Sequence, residues 1–236
     1  MPSTTRFRLF LPVILCACVA AAHAQQSYLA PTLIEAGNVV FPNSGPPVAA
    51  ISLLAAVDPD GHVSETQTVD SVGSTPSGEA YAGTLAGYVN DSIAAAKQWR
   101  FSPAVDLRRK PTRSTASITF VYQTVFDRGA DTTIIPSLET SSRKADEYQP
   151  PLAGKVSRVE YPLRGFIQTP SPTVVLNLQI EADGSISTVD VIQSVPALNA
   201  LAVRDVKNFQ FRAARYEGKP IRSTAIVAFV FLRLTN

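Results

Sequence analysis

At 236 residues, with 45% hydrophobic and 17% charged residues, the chain is too apolar and too weakly charged for a disordered polymer, and it has room for one large or two small domains. Its 21 basic and 19 acidic residues nearly balance, which argues against nucleic acid or an anionic membrane as partner, since both require a basic excess. Beyond the N-terminus no stretch approaches the roughly 18 to 20 apolar residues of a bilayer span.

Arg6 and Arg8 precede an apolar run from Leu9 to Ala22, and Ala22-His23-Ala24 places small residues before Gln25. That is the order of a secretory signal over residues 1–24, so the expectation is an exported protein, periplasmic or secreted. Leu15-Cys16-Ala17-Cys18 loosely resembles a lipobox, so tethering through Cys18 is the competing expectation. It is weakened because Cys16 fills a small-residue slot and the apolar run continues past Cys18. Cleavage after Ala24 would remove both cysteines and two basic residues but no acidic one, leaving a mature chain that is formally neutral and has no thiol chemistry.

The remainder contains an internal repeat. Ile51 to Val57 alternates apolar and small residues, runs into Asp60-Gly61 and returns over Val63–Val69; Val174 to Ile180, Asp183-Gly184 and Ile186–Ile192 repeat this at a constant offset. Alternation predicts strands with one buried face, and Asp-Gly supplies the positive φ of a tight turn. Ser71 is answered by Ser194. Residues 73–83, rich in Gly, Ser, Thr and Pro, have no counterpart and predict a surface insertion. Leu85, Val89, Ile93 and Ala96, and then Leu198, Leu201, Ala202, Val206 and Phe209, mark one helical face in each copy. Trp99-Arg100-Phe101 is matched by Phe209-Gln210-Phe211, Lys110-Pro111 by Lys219-Pro220, and Ser114 by Ser223. Each copy closes on an apolar alternation, Ala116-Ile118-Phe120-Tyr122 and Ala225-Val227-Phe229-Phe231, and opens on Pro31 with Phe41-Pro42 or Pro151 with Tyr161-Pro162. The expected fold is α+β, two tandem β-β-α-β modules, each a three-stranded antiparallel sheet with one helix packed on it. Module 1 spans 25–126, a non-periodic linker 127–149, and module 2 150–236.

This order, an aromatic-Pro opening, a strand into Asp-Gly, a helix ending in aromatic-x-Phe, then Lys-Pro and an apolar last strand, resembles the TonB C-terminal domain family, and in fold the TolA C-terminal domain. Module 1 departs in carrying Arg109 before Lys110 where the family has Gly, and module 2 in carrying Ala213-Ala214 where Pro-Ala is usual. The resemblance implies an envelope binding module in which the third strand pairs with a segment of an outer-membrane or other envelope protein. It would place the pairing edges at Ile118, Phe120 and Tyr122 and at Val227, Phe229 and Phe231. Energy transduction is not expected, because the signal looks cleavable and no long Pro-rich spacer is present.

The last strand is unusual in having a second apolar face of Ile226, Ala228, Val230 and Leu232, where module 1 has Ser117, Thr119, Val121 and Gln123. Such a face needs cover, so Ile226, Val230 and Leu232 are expected at an interface with the other copy, the linker or a second molecule.

Other features have plainer readings. Asp58, Asp60 and Asp183 fit turn chemistry better than calcium, and His62 alone makes neither a zinc site nor a triad. Trp99 and Phe101 fit core packing, and Arg108-Arg109-Lys110 a solvated turn rather than a contact with an anionic wall polymer. No cofactor, metal or catalytic residue is expected. A wall hydrolase using Glu65, Asp70 or Asp190 lacks any motif, so the expectation is a binding module rather than an enzyme, with peptidoglycan a lesser partner class. The alternative is a structural envelope subunit, in which the modules pair with each other or in a homodimer.

Overall fold

The computed structural model describes residues 28–37, 39–75, 77–124, 133–134, 148–157 and 171–232. The expected signal, most of the linker and Tyr161-Pro162 lie outside them. In the N-terminal half Thr32–Glu35 forms β1, Val48–Val57 β2, Val63–Ser74 β3, Ala86–Gln98 α1, Arg100–Ser102 β4, Ala104–Val105 β5, Pro111–Thr112 β6 and Ser114–Thr124 β7. Thr133–Ile134 is β8. The C-terminal half has Leu152–Ser157 as β9, Thr173–Ile180 β10, Ile186–Gln193 β11, Pro196–Val206 α2, Gln210–Arg212 β12, Ala214–Tyr216 β13, Lys219–Ile221 β14 and Ser223–Leu232 β15. The same succession of strand, strand, helix, short strands and long strand therefore occurs twice, in an α+β fold.

Both hairpins turn where Asp-Gly was expected. The Asp58 N–H donates to the His62 carbonyl at 2.9 Å and the Glu181 N–H to that of Ser185 at 2.8 Å, with Gly61 and Gly184 at φ 83° and 87°. Glycine is needed twice over here: a Cβ on either residue would collide with the carbonyl of Phe101 or Phe211, because the turn is folded against the strand that follows the helix. The Phe101 N–H donates to the Gly61 carbonyl at 2.9 Å. α2 opens on Pro196, and Asn199 accepts the Val195 N–H at 2.9 Å while donating to Ser194 at 2.7 Å, which satisfies a donor the helix cannot reach.

α2 buries the expected Leu198, Ala202 and Val206, whereas the face of α1 is turned slightly from expectation. In α1 the fully buried residues are Tyr88, Ser92, Ala95 and Ala96, with Leu85, Val89 and Ile93 packed at the margin. Two buried hydroxyls explain this: Tyr88 donates to the Pro46 carbonyl at 2.6 Å, and Ser92 is hydrogen-bonded to Tyr122 at 2.8 Å. A polar residue buried with its partner carries no apolar signal. The short strands were not legible either. β1 pairs with β4, β9 with β12, β5 with β6 and β13 with β14, and β8, inside the expected linker, pairs with β9.

The principal departure concerns the sheets. Instead of two separate three-stranded sheets there is one of six strands, in the order β11-β10-β15-β7-β2-β3. Every neighbouring pair is antiparallel except the central one, where β15 and β7 run parallel from Ile226 beside Ile118 to Leu232 beside Thr124. Neighbouring residues across a ladder point to the same face, so the helices can be placed. Tyr88, Ala95 and Ala96 of α1 share a core with Phe120 and Tyr122 of β7 and with Ile226, Ala228 and Val230 of β15. Leu198, Ala202 and Val206 of α2 share theirs with Val227, Phe229 and Phe231 of β15 and Val121 of β7. α1 and α2 thus lie on opposite faces, related by an approximate two-fold running along the central seam. Each half also reaches across it: β1 lies against β11, and Thr224 donates to the Pro31 carbonyl at 2.7 Å.

Candidate functional site

Strand addition needs an unpaired backbone edge, and the sheet order decides which edges exist. The third strands were expected to be open at Ile118, Phe120, Tyr122, Val227, Phe229 and Phe231. In the structure β7 and β15 are each other's neighbour, hydrogen-bonded on both sides, and all six side chains are fully buried under the helices. These residues form the core and the seam, and the edge they were expected to offer is taken. Ile226 and Val230 are buried in the core of the N-terminal half, and Leu232 packs against it, so the cover for that second face comes from the other half of the same chain.

The outer strands are β3 and β11. Among the described residues no strand pairs with the outer side of either; β8 approaches β3 without pairing with it. Both are polar: β3 carries Glu65 and Asp70, β11 carries Asp190, and neither contains a Lys or Arg. The three carboxylates once considered for hydrolysis do not converge. β3 and β11 are at opposite edges, five inter-strand spacings or about 24 Å apart, beyond the roughly 10 Å within which two carboxylates can share one bond cleavage.

Three tyrosines that sequence reasoning passed over gather at the end of the seam where β7 and β15 begin. Tyr28 is hydrogen-bonded to Ser114, and Tyr148 to Ser223. The Tyr28 ring lies 4.7 Å from that of Tyr148 and is stacked at 5.4 Å on Tyr216. Burial pushes the Tyr28 hydroxyl up to about 12, against the Ser114 bond, and raises that of Tyr148 as well. A signal did exist: Tyr28 and Tyr148 each stand three residues before the opening Pro31 and Pro151, and the serines they bond were already matched.

Beside these rings is an open cleft of about 630 Å³. Ala56 and Thr115 line it together with Glu65, Arg113 and Asp106. Arg113 holds Asp58 at 3.2 Å and Glu65 at 2.9 Å, and the Glu65 hydrogen bond raises its pKa further. Asp106 accepts the N–H groups of Arg108 and Lys110 at 2.9 and 2.8 Å, so the basic run is an exposed turn, with Arg109 at φ 60°. A second cavity of about 90 Å³ continues along β3 between Leu54, Ala56, Glu65 and Gln67.

The remaining singled-out residues have local partners. Asp60 accepts the His62 N–H at 3.1 Å, and Asp183 accepts the N–H and hydroxyl of Ser185, which hold its carboxyl below the usual range. His62 is exposed beside the Arg100 guanidinium. Trp99 and Phe101 are buried, Trp99 against Phe120 at 5.3 Å. Among the described residues no three His, Cys, Asp or Glu side chains are grouped to hold a metal, and no helix is long and apolar enough to cross a membrane.

Residues 157–232 match the family of the Gram-negative bacterial TonB protein C-terminal domain. Over this stretch the chain is similar to the TonB C-terminal family. The match runs from the end of β9 through the hairpin β10–β11, α2 and β15, the elements that build one face and half of the sheet. That family is one of envelope protein-interaction domains rather than of enzymes. Neither the curated proteins nor the solved structures gave a match to the chain.

Proposed function

We propose that this chain is an exported envelope protein that takes up an extended segment of another envelope protein by β-strand addition, at its outer strands β3 and β11 rather than at its third strands. One observation carries the reading: among the described residues, the two third strands of the TonB-like sheet are joined to each other, and unpaired strand edges of that sheet are found on the polar outer strands β11 and β3, the latter as far as the Ser74–Ala80 bridge. Reopening the seam is a poor alternative. It would expose Ile226, Ala228, Val230 and Val121, roughly 5 to 8 kcal/mol of apolar burial, as well as the ladder itself, against a typical total stability of about 5 to 15 kcal/mol.

The reading is tested by photocrosslinking in intact envelopes, with the crosslinker placed at Thr68 on β3, Thr188 on β11 and, as control, Lys97 on the exposed side of α1, all three solvent-exposed. Adducts with another envelope protein from Thr68 or Thr188 and none from Lys97 are expected. Adducts from Lys97 alone would refute edge pairing. Adducts only with further copies of the chain would favour the structural-subunit reading, which the long covered seam also suits.

A further inference from the structure

The two halves share one register, so a departure between equivalent positions is informative. Ala56 on β2 stands between Thr115 and Glu65, and its equivalent Gln179 on β10 between Thr224 and Thr188. Gln179 extends over the start of β15 and donates to the Ser223 carbonyl at 2.7 Å. Ala56 ends at its Cβ, and the 630 Å³ cleft occupies the space beside it. The charges depart in the same place. Both halves pair an arginine with a carboxylate at the end of the first long strand, Arg113 with Asp58 at 3.2 Å and Arg222 with Glu181 at 3.0 Å, so that pair belongs to the shared framework. Glu65 is an extra carboxylate of the N-terminal half, where the other half has Thr188, and its bond to Arg113 joins two exposed side chains, an arrangement typically worth no more than about 1 kcal/mol. The cleft thus combines tyrosine rings with a carboxylate that the framework does not require.

An extended segment added outside β3 would lie about 4.8 Å beyond it and point alternate side chains to the face carrying Glu65 and Gln67. We infer that the cleft is a side-chain site for a lysine or arginine of an extended protein segment paired along β3, which makes β3 and not β11 the specific edge. Carboxylate and aromatic faces are the two groups that together favour an organic cation; β3 carries no Lys or Arg, and Arg113, the cation in the cleft, keeps Asp58 at 3.2 Å when Glu65 turns to the guest. The inference rests on the strand-addition reading and adds to it the edge and the partner's charge.

The test uses the purified chain and three capped ten-residue peptides of alternating threonine and valine, with a central lysine, norleucine or glutamate, titrated while the amide signals of residues 63–72 are followed. The lysine peptide is expected to bind about tenfold more tightly than the norleucine one, the worth of a single charge-assisted hydrogen bond, and the glutamate peptide more weakly still. Glu65→Thr should bring the lysine peptide to the norleucine level, and Ala56→Gln should abolish the difference. Both variants install the residue the other half already carries, and unchanged unfolding midpoints would verify that they fold. Equal affinity for all three peptides with β3 amides shifted, or a lysine preference that survives Glu65→Thr, would overturn the cation site while leaving strand addition standing. No shift of the β3 amides with any peptide would overturn both.

Discussion

Val230 provides a direct measure of whether the halves are one cooperative unit. It lies on β15, in the C-terminal half, yet its side chain is fully buried in the core of the N-terminal half, beside Tyr122, whose ring meets Phe41 and Tyr88 at 5.6 and 5.0 Å. Val230→Ala removes two methyl groups, about 1.5 kcal/mol of transfer free energy, and leaves a cavity that raises the loss to about 2 to 3 kcal/mol. For a chain of this size that corresponds to a fall in Tm of about 5 to 10 °C. The assay is built in, because the chain has one tryptophan, and Trp99 is buried in that same core against Phe120, the neighbour of Ala228 across the seam. The expected result is a single transition in which Trp99 fluorescence and far-UV circular dichroism shift together. A Trp99 midpoint that stays in place while a second transition moves would show that the halves unfold independently, and would refute the shared core.

Three further outcomes follow from local chemistry. Among the described residues the buried hydroxyl of Thr119 has no hydrogen-bond partner, nor has that of Ser52 opposite it, so Thr119→Val should raise stability by about 1 to 2 kcal/mol in urea unfolding; a loss would mean the hydroxyl is satisfied in solution. Gly184→Ala adds a Cβ in the left-handed region and against the Phe211 carbonyl, and should cost more than about 2 kcal/mol, whereas Gly218→Ala, at φ 74° with open space around it, should cost only about 1. At high pH, Tyr28 and Tyr88 keep their protons to about 12 in the folded state because burial disfavours the phenolate, while the unfolded chain releases them at 10.0. Between those values the unfolded state binds fewer protons, so stability is full below pH 10 and declines from 10 to 12. Phenolate absorbance should then rise together with loss of the far-UV signal, and complete ionisation at pH 10 in a folded chain would contradict it.

Much of this architecture was legible because its determinants are local. Asp60-Gly61 and Asp183-Gly184 mark turns by backbone chemistry, and the alternation at Ile118-Phe120-Tyr122 marks a strand by side-chain period. Short strands such as β5 and β13 span less than two periods of alternation, so no pattern could reveal them. Tyr88 and Ser92 were missed because a helical face read from apolarity ignores polar groups that are buried in pairs. The parallel seam was only half legible: the apolar second face of Ile226, Ala228 and Val230 shows that the strand is covered, but a side-chain pattern cannot say which backbone edge lies next to it. The cleft was hidden for a different reason. It depends on a side chain that is short, Ala56, and an alanine on a buried strand attracts notice only beside the Gln179 that takes its place in the other half.

The choice of strands at the seam also has a physical logic. An unpaired strand that is apolar on both faces invites uncontrolled association, and β15, with Ile226, Ala228 and Val230 on one side and Val227, Phe229 and Phe231 on the other, is the most exposed to that hazard. Joining two halves with the same succession of elements in one chain places a complementary edge at high effective concentration, and an approximate two-fold along the strands lets β7 and β15 protect each other. The edges then left outward are β3 and β11, which bear carboxylates and whose registers shift opposite Ser52/Leu53 of β2 and Val175/Leu176 of β10, features that discourage self-pairing. A second copy that paired along β3 through its own β3 or β11 would bring no positive charge to Glu65, because neither strand contains a Lys or Arg.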